Sequence, residues 1–301
     1  MTFYLNCPYL CCVNDKQTKE DSVMLDTKIQ KELTNDEYRA IQGWSSTQIK
    51  SVVKHSVRKA LIPIADSDAL RMGRAFHTVM ESVEAFDRDY AVFDDTEIVL
   101  SIQKERPNIS VPSMTKEYKQ ARKQFEQENQ GKEIVSLDDF NTLLMMRENA
   151  FSNPQVEAIM QSADKTYVEQ SYRKSVHIDS HQASVLVKAR PDLIVHMGNS
   201  SYKMIDWKSC RDASPKGFRS DFFKYRYDVQ AVVYCDVVGI DPRDFLFVAL
   251  EKEAPYLCAV YGMTDEVIEV ASRDYENALV SIARYENEMD EGGLTKDIVW
   301  I

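Results

Sequence analysis

The sequence predicts a mixed α/β fold in which a central β-sheet is flanked by helices and the N-terminal half is helical. Two observations favour this fold: apolar residues recur at helical spacing up to about residue 165, and short alternating or apolar runs follow. Of the 301 residues, 44% are hydrophobic and 28% are charged, which is enough apolar material for a sizeable core. The length fits one large domain or two small ones. We predict an extension over residues 1–35 and a single domain over residues 36–301.

Capping residues and apolar periodicity mark the predicted helices of the N-terminal half. Ser45 or Ser46 can cap a helix that follows Trp44. A second helix is predicted over residues 68–86, where apolar side chains lie three and four positions apart. Residues 111–165 are predicted to be largely helical. The apolar seam of that region is predicted to comprise Leu143, Leu144, Met145 and Ala150.

The pattern changes to that of strands near residue 166. Residues 167–172 alternate between apolar and polar, and residues 185–196 and 202–207 resemble two further strands. Gly198 and Asn199 lie between those two strands, which predicts a hairpin turn. The remaining elements are predicted to be a helix over residues 220–238, strands over residues 245–251 and 257–261, and a closing helix over residues 264–288.

No segment of the sequence suggests export or insertion into a membrane. The chain has no apolar run approaching the roughly 20 residues that span a bilayer. Its first residues contain no basic leader followed by a long apolar stretch. We therefore expect a cytoplasmic protein with no membrane partner.

Six cysteines are present, and their spacing bears on metal and disulfide sites. Cys7, Cys11 and Cys12 resemble a fragment of a metal or cluster site, whereas the other three lie in apparent strands and helices without Cys-x-x-Cys spacing. Free thiols are the rule in a cytoplasmic chain. We therefore expect neither disulfides nor a zinc or iron–sulfur site.

The formal charge of −11 and the pI near 5.1 argue against nucleic acid as a partner, because phosphate binding needs Lys and Arg. The objection concerns the average charge and not its distribution. Residues 203–226, which we call the basic strip, contain seven basic and three acidic residues. The strip could bind DNA, and it could equally be a solvated loop. Its candidate DNA contacts are Arg211, Lys216, Arg219, Lys224, Arg226 and the adjoining Tyr227.

The candidate catalytic residues are Pro191-Asp192 followed by Asp206-Trp207-Lys208. Asp206 and Lys208 are two positions apart on a predicted strand, so their side chains share one face. We expect the two acids on adjacent antiparallel strands near one edge of the sheet. The two carboxylates and the Trp207 backbone carbonyl would supply the hard oxygen ligands that Mg²⁺ prefers, with Mn²⁺ able to substitute. A metal there would stabilise charge on a phosphate, and Lys208 would orient the attacking water or stabilise the developing charge.

The alternative is that Asp206 and Lys208 are an ordinary pair on an exposed strand, where Asp-x-Lys is common. The flanking sequence argues against it. Residues 193–195 and 204–205 are wholly apolar, and charges between core-like segments need a reason to be there.

Two helical segments add polar residues to this set. His77 and Glu81 are four positions apart on one helical face, where an imidazole and a carboxylate can join a metal shell or hold a phosphate. A solvated helix pair is the alternative. Tyr227, Gln230 and Tyr234 share one face of the helix that follows the Asp-x-Lys strand, and they could face the active site or belong to the core.

In this order and spacing, the motifs resemble the RecB-type branch of the PD-(D/E)XK nucleases, and more narrowly the nuclease domain of the RecE (exonuclease VIII) family. The resemblance covers roughly residues 35–290. No single motif is specific; their order is. The motifs are Gly-x-x-x-His-x-x-x-Glu at Gly73–Glu81, Arg-Pro-Asp at Arg190–Asp192, Asp-x-Lys at Asp206–Lys208 and Gln-x-x-x-Tyr at Gln230–Tyr234. Shorter segments that also resemble the family are Asn35–Tyr38, Trp44–Lys50, Glu169–Tyr172, Tyr227–Tyr234 and Val248–Tyr256.

The resemblance implies a Mg²⁺-dependent exonuclease that degrades one strand of duplex DNA from its end in the 5′→3′ direction. It implies catalytic roles for Asp192, Asp206 and Lys208, with His77, Glu81, Gln230 and Tyr234 beside them. Relatives leave 3′ single strands for phage or prophage recombination, act beside a single-strand annealing protein, and assemble into rings around DNA. Asp206-Trp207-Lys208-Ser209 stands where many relatives have Asp-x-Lys-Thr, a minor departure. The cysteine quartet of cluster-bearing relatives is lacking, which argues against an iron–sulfur cluster.

Two other functions stay open. A PD-(D/E)XK endonuclease of different specificity would cut a circular duplex, whereas an exonuclease needs an end. A catalytically idle DNA-binding module that retains the fold is the second alternative. It is disfavoured because Asp192, Asp206 and Lys208 are all present, and degenerate nucleases usually lose one of them.

Overall fold

The computed structural model describes residue 29, residues 33–199 and residues 201–287. The predicted α/β fold, with a helical N-terminal half and a central mixed sheet, is confirmed. Most of the predicted extension over residues 1–35, including Cys7, Cys11 and Cys12, lies outside the described residues. Over the described ranges, none of the helices is both long enough and apolar enough to cross a membrane.

The described residues form more and shorter helices and strands than the sequence pattern predicts. The helices are α1 (Asn35–Ala40), α2 (Ser46–Lys54), α3 (Val57–Ala60), α4 (Asp68–Glu81), α5 (Val83–Asp89), α6 (Thr96–Glu105), α7 (Lys116–Glu128), α8 (Leu137–Phe151), α9 (Pro154–Gln161), α10 (Pro215–Lys224), α11 (Tyr227–Val238) and α12 (Asp265–Glu286). The strands are β1 (Trp44–Ser45), β2 (Tyr90–Phe93), β3 (Glu133–Ser136), β4 (Lys165–Val168), β5 (Tyr172–Ile178), β6 (Ala183–Ala189), β7 (Leu193–His196), β8 (Tyr202–Cys210), β9 (Phe245–Glu251) and β10 (Cys258–Tyr261).

The central sheet has five strands in the order β10-β9-β8-β7-β4. Strands β8 and β9 pair in parallel, and the other pairs are antiparallel. A three-stranded sheet, β1-β6-β5, lies beside it, and β2 pairs with β3 in parallel. The predicted position of the catalytic strands near one edge is wrong, because β8 is the middle strand of the five.

The central sheet is covered on both faces, and side chains alternate between the two covers as the strand pleat requires. On one face, Met204 and Phe247 pack with α2, α11 and α12 in one hydrophobic cluster. On the other face, Ile205, Trp207 and Val248 pack with α4, α8 and α9 in a second cluster. Residues of β8 with even numbers therefore face α11, and those with odd numbers face α8.

Four predicted elements are each divided in two. Ser82 ends α4 and caps α5, since its hydroxyl accepts a hydrogen bond from the Ala85 amide. Arg226, at φ 54°, separates α10 from α11, and Glu169, at φ 49°, separates β4 from β5. The predicted strand over residues 185–196 is divided at residues 190–192 into β6 and β7, which belong to different sheets. Each break occupies only one to three residues within a longer periodic run, which periodicity does not resolve, and this explains these errors.

Other local predictions have mixed outcomes. Ser45 is the N-cap of α2 and forms a capping box with Gln48. The predicted hairpin turn is present, with Gly198 at φ 80° and the Met197 amide bonded to the Ser201 carbonyl at 2.8 Å. Strands β1, β2 and β3 were not predicted. Met145, predicted to lie in the apolar seam of α8, is 42% exposed.

A buried lysine on β6 anchors α1 to the body of the protein. The Lys188 ammonium donates to the carbonyls of Tyr38, Arg39 and Ile41 at 3.1, 3.0 and 2.7 Å, where α1 ends. Burial lowers the pKa of Lys188. Because the last carbonyls of a helix lack partners within the helix, this single side chain supplies donors that the backbone cannot.

Replacing Lys188 with Met should lower the free energy of unfolding by about 1–3 kcal/mol, because three half-buried carbonyls lose their donor. Urea denaturation followed by circular dichroism measures the change. Lys123→Met, at an exposed position of α7, is the matched control and should shift stability by no more than about 0.5 kcal/mol. Equal stability of the two variants would contradict this role for Lys188.

Candidate active site

Strand β8 presents Asp206 and Lys208 on the face that α11 covers. The Lys208 ammonium forms an ion pair with Asp206 Oδ2, so the predicted sharing of one face is observed. Both side chains are buried, with Asp206 at 1% and Lys208 at 9% exposure. Trp207 points the opposite way, and its ring lies 5.4 Å from that of Phe151 on α8. The pleat of β8 therefore places the charged pair on one face of the strand and the Trp207 ring on the other.

Asp192 lies in the short link between β6 and β7, directly before β7 begins. Its Oδ2 accepts a hydrogen bond from the Trp207 amide at 2.8 Å. The backbone of β8 thus positions the first predicted acid beside the second. The two acids are brought together by antiparallel pairing of β7 with β8, in which Leu193 lies opposite Ile205.

Gln230 of α11 connects the charged groups. Its Nε2 donates to Asp206 Oδ1 at 2.7 Å, which leaves its Oε1 as an acceptor. That oxygen accepts from Lys208 Nζ at 3.3 Å and from Lys50 Nζ at 3.0 Å. Both ammonium groups also lie over the Tyr227 ring, at 4.6 and 5.6 Å from its centroid. One amide therefore sets the positions of one acid and two lysines.

His77 and Glu169 complete the pocket around Asp192. His77, on α4, places Nδ1 3.2 Å from Asp192 Oδ1. Glu169 lies where β4 gives way to β5, and its amide donates to the Asp192 carbonyl at 3.1 Å. Arg190 pairs with the Glu169 carboxylate at 3.0 Å and donates to the Glu169 carbonyl. Ligand atoms of His77, Glu169 and Asp192 lie within 4.8 Å of one another.

Like charges and burial shift the pKa values of the acids in this pocket. Burial and the nearby Asp192 raise the pKa of Glu169, with a smaller contribution from Glu81, despite Arg190. Burial likewise raises the pKa of Asp206, and the ion pair with Lys208 offsets only part of that effect. Burial also acts to raise the pKa of Asp192, but His77, Lys208 and the Trp207 amide outweigh it and lower the value.

Burial and neighbouring charges also shift the pKa values of the basic groups in the pocket. Burial acts to lower the pKa of His77, but the Asp192 carboxylate outweighs burial and raises the value to about 9. Burial, reinforced by Lys208, lowers the pKa of Lys50 to about 7. His77 and Glu169 therefore keep their protons to a higher pH than the free side chains do.

Residues 37–293 match the family described as a PDDEXK-like domain of unknown function, DUF3799. The chain belongs to this family. The motifs from His77 to Tyr234 all fall inside the matched range. Their residues His77, Asp192, Asp206, Lys208 and Gln230 line the pocket described above. No curated protein matches the chain.

A solved structure that resembles this PDDEXK-like chain supports the same fold. A protein from Eubacterium rectale, described as a candidate exonuclease, matches with a TM-score of 0.51 at 14% identity, over 90% of this chain and 97% of that protein. SSO0001 matches at 12% identity over 74% of this chain and 91% of its own, with a TM-score of 0.28, a value too low to indicate a shared fold.

The pocket fits a divalent cation by the chemistry of its donors. Carboxylates and one imidazole form a hard ligand set of the kind that Mg²⁺ and Mn²⁺ accept. Of the three buried side-chain polar atoms without an aligned hydrogen bond in the described part of the chain, two lie in this pocket: His77 Nδ1 and Asp206 Oδ2, each beside an oppositely charged group. A cation would use such atoms and would remove the like-charge repulsion that raises the pKa values of the acids.

The predicted site residues divide into three groups. Asp192, Asp206, Lys208, His77 and Gln230 meet in the pocket. Glu81 lies one turn beyond His77, close enough to influence Glu169, and Tyr234 faces Ser46 and packs beside Phe245. Trp207 offers its amide to Asp192, and the structure does not test the predicted use of its carbonyl as a ligand.

The residues predicted to contact DNA differ in their exposure to solvent. Arg211, Lys216, Arg219 and Lys224 are exposed. Arg226 is instead paired with Asp228 and Asp274 inside the fold, and its side chain is only 17% exposed. Lys203, at the start of the basic strip, pairs with Asp244.

Sequence reasoning missed the roles of Glu169, Lys50 and Arg190. Glu169 follows the alternating run of β4, and an acid directly after a strand was the available signal. Lys50 is four positions after the buried Ser46 and one after Ile49, so a charge interrupts the buried stripe of α2. A charged residue on an apolar face needs a partner, and that mismatch could have pointed to Lys50.

Divalent metal should raise the melting temperature of the metal-free protein, and this shift should be lost in Glu169→Gln and Asp192→Asn. Binding at 100 times the dissociation constant contributes about 2.7 kcal/mol. Metal ligands must be deprotonated, and the raised pKa values of His77 (about 9) and Glu169 mean that protons must leave. At fixed Mn²⁺ or Mg²⁺ the shift should therefore grow as the pH rises from neutrality towards 9.

Differential scanning fluorimetry with EDTA or added metal measures these shifts. Glu84→Gln, an exposed position on α5, is the matched control and should keep the full response. An unchanged metal response in Glu169→Gln would exclude Glu169 as a ligand. A response independent of pH would contradict the proton release.

Proposed function

We propose that the chain is a divalent-metal-dependent nuclease that digests one strand of duplex DNA from its end. The observation that carries the proposal is the meeting of Asp192, Asp206 and Lys208 in one buried pocket, with His77 and Glu169 beside them. The membership of the PDDEXK-like family supports hydrolysis of phosphodiester bonds. Buried charges of this density have no use in the core and need a catalytic or binding reason.

His77, Glu169 and Asp192 would hold the cation, and Asp206 is the adjacent acid that could join them once it leaves Lys208. A divalent cation in this position supplies stabilisation of the phosphate charge and lowers the pKa of the attacking water. Arg190 keeps Glu169 in place through both its carbonyl and its carboxylate. The Trp207 amide keeps Asp192 turned toward the pocket.

Lys208 is positioned before any substrate arrives. Asp206, Gln230 and the Tyr227 ring hold its ammonium group, so the charge needs little reorganisation to meet the scissile phosphate or orient the water. Lys50 donates a further hydrogen bond to the same amide oxygen. The Lys208 ammonium and the acids that would hold the cation lie within one pocket, so a bound phosphate would contact both.

Exonuclease action in the 5′→3′ direction is the specificity that we propose. The resemblance of the motifs to the RecE family supports this direction, and the Eubacterium rectale protein of similar fold is described as a candidate exonuclease without a direction. The product would be 3′ single strands for homologous recombination by single-strand annealing, with a separate annealing protein as the partner. Mg²⁺ is the proposed cation, with Mn²⁺ able to substitute.

With Mg²⁺, the protein should digest linear duplex DNA, spare a closed circular duplex, and release a 5′-terminal label before a 3′-terminal one. Asp206→Asn should lower the rate by about 10²-fold or more, because it removes a charge that Lys208 and the metal both use. Gel analysis of labelled linear and circular duplexes measures both effects. Asp87→Asn, at an exposed position of α5, is the isosteric control and should retain activity.

Three outcomes would contradict parts of this proposal. Cutting of the circular duplex would favour an endonuclease of another specificity. Full activity of Asp206→Asn would remove Asp206 from catalysis. Tight DNA binding without any metal-dependent cleavage would indicate the idle DNA-binding module.

We also propose a homo-oligomeric ring whose channel is lined by exposed residues of the basic strip. The chain carries a charge of −11, so it repels DNA at long range unless positive groups are concentrated where the DNA lies. Arg211, Lys216, Arg219 and Lys224 are exposed and close in sequence to β8 and α11. In a closed ring these residues would converge, while acidic surfaces face outward.

Charge reversal at Lys216 or Arg219 to Glu should shorten processive digestion and reduce the salt dependence of DNA binding. Sedimentation velocity gives the oligomeric state, and single-turnover digestion of long duplexes at several salt concentrations gives processivity. Lys123→Glu, on the exposed side of α7, is the control. A strictly monomeric protein that is fully active and processive would refute the ring.

A further inference from the structure

The end of α10 and its connection to α11 carry two aromatic rings that the fold leaves open to solvent. Phe223 is 38% exposed and Tyr225 is 44% exposed. Tyr225 stacks on Tyr227 with 5.7 Å between ring centroids and 30° between ring planes. The neighbouring Phe222 is only 8% exposed and contacts Phe223 edge to face. We call Tyr227, Tyr225 and Phe223 the aromatic row.

The inner end of the aromatic row lies at the catalytic centre. The Tyr227 ring lies 4.6 Å beneath the Lys208 ammonium and 5.6 Å from that of Lys50. Tyr227 also packs against Phe218 and Phe247 in the hydrophobic core. The row therefore leads from the catalytic lysine to the surface.

The outer end of the row is bracketed by exposed cations. The Arg219 guanidinium lies 5.0 Å from the Phe223 ring centroid, and the Lys224 ammonium lies 4.9 Å from that of Tyr225. Lys54 of α2 reaches the same place and donates to the Lys224 carbonyl at 3.0 Å. Exposed aromatic rings with flexible cations beside them are the combination that single-stranded nucleic acid binds, since rings stack on bases and cations meet phosphates.

The connection that presents Tyr225 is fixed by ion pairs rather than left flexible. Arg226 adopts a left-handed backbone at φ 54° and ψ 50°, which is unfavourable for a residue with a Cβ atom. Its guanidinium bonds to both oxygens of Asp228 at 3.0 and 3.1 Å and also pairs with Asp274 of α12. Arg226 therefore acts as a clamp that keeps Tyr225 stacked on Tyr227.

We propose that the aromatic row binds unpaired bases of the DNA strand that enters the catalytic centre. The inference rests on the proposed nuclease function, because a strand can reach the buried pocket of Asp206 and Lys208 only after it leaves the duplex. Its bases then lose their stacking partners and expose their faces. The exposed side chains of Arg219 and Lys224 move from the rings of Phe223 and Tyr225 to the adjoining phosphates, which frees a ring face of each for a base. Lys54 meets a further phosphate. Every base has such a face, so no sequence preference follows.

The test compares binding of a short single-stranded oligonucleotide with binding of an abasic oligonucleotide of equal length and charge. Fluorescence anisotropy in Ca²⁺, with intact DNA verified afterwards on a gel, measures affinity without relying on cleavage. The wild type should prefer the base-bearing strand. Tyr225→Leu and Phe223→Leu should each reduce that affinity by about fivefold or more, the lower end of the range for one lost stack, with little change for the abasic strand.

Matched variants separate stacking from charge and from folding. Tyr225→Trp keeps an aromatic face and should preserve the preference for bases. Lys224→Met should weaken both oligonucleotides equally, because it removes a phosphate contact. Melting temperatures of all variants should stay near that of the wild type, since Tyr225, Phe223 and Lys224 are exposed.

The outcomes for the row and for the nuclease function are distinguishable. Equal affinity of the wild type for both strands, or an unchanged preference in the Phe223→Leu/Tyr225→Leu double variant, would overturn the aromatic row even if linear duplexes are digested. An equal loss on both strands in Tyr225→Leu would also overturn it, since a backbone contact would then explain the effect. A protein whose preference for the base-bearing strand depends on Tyr225, but which cleaves no DNA, would refute the nuclease function and would still support base binding by the aromatic row.

Discussion

Repulsion among three buried carboxylates is the constraint around which the pocket is built. Asp192, Glu169 and Asp206 cannot all be charged together in a dry interior without cations close by. Each acid accordingly has its own cationic neighbour: His77 for Asp192, Arg190 for Glu169 and Lys208 for Asp206. The raised pKa values of Glu169 and Asp206 indicate that these neighbours do not compensate fully. A divalent cation would supply the positive charge that is still needed to compensate the acids.

The meeting of two sheets positions these acids. The links at residues 169–171 and 190–192 carry the chain from the central sheet to the three-stranded sheet and back, and each contributes one acid. Links of this kind escape the strict alternation of a strand, so Glu169 and Asp192 can turn toward the same point. The Glu169 amide and the Asp192 carbonyl bond directly, which joins the two links. Strand β8 then supplies Asp206 and Lys208 from the regular pleat.

Much of the fold and part of the site could be predicted from the sequence, and the reasons differ by element. The same-face pairing of Asp206 with Lys208 follows from the period of a strand, and the cap at Ser45 follows from local chemistry. Glu169 could not be assigned, because its role depends on a contact with Asp192 that only the tertiary fold creates. The split at Arg226 was missed because a left-handed arginine is stabilised by Asp274, 48 positions away in sequence. Sequence patterns therefore predict the features that neighbouring residues determine, and they miss those that depend on tertiary contacts.

Gln230 has a consequence for how the protein is made. Asp206 Oδ1 is held by the Gln230 amide, and Lys208 and Lys50 share its oxygen. Ribosomes deliver the chain from the N-terminus, so His77, Glu169, Asp192 and Lys208 all emerge before α11 exists. A nascent chain that ends before residue 230 lacks the one group that ties the acid to both lysines. The hydrolytic machinery is therefore assembled late in synthesis, after most of the scaffold that contains it has emerged.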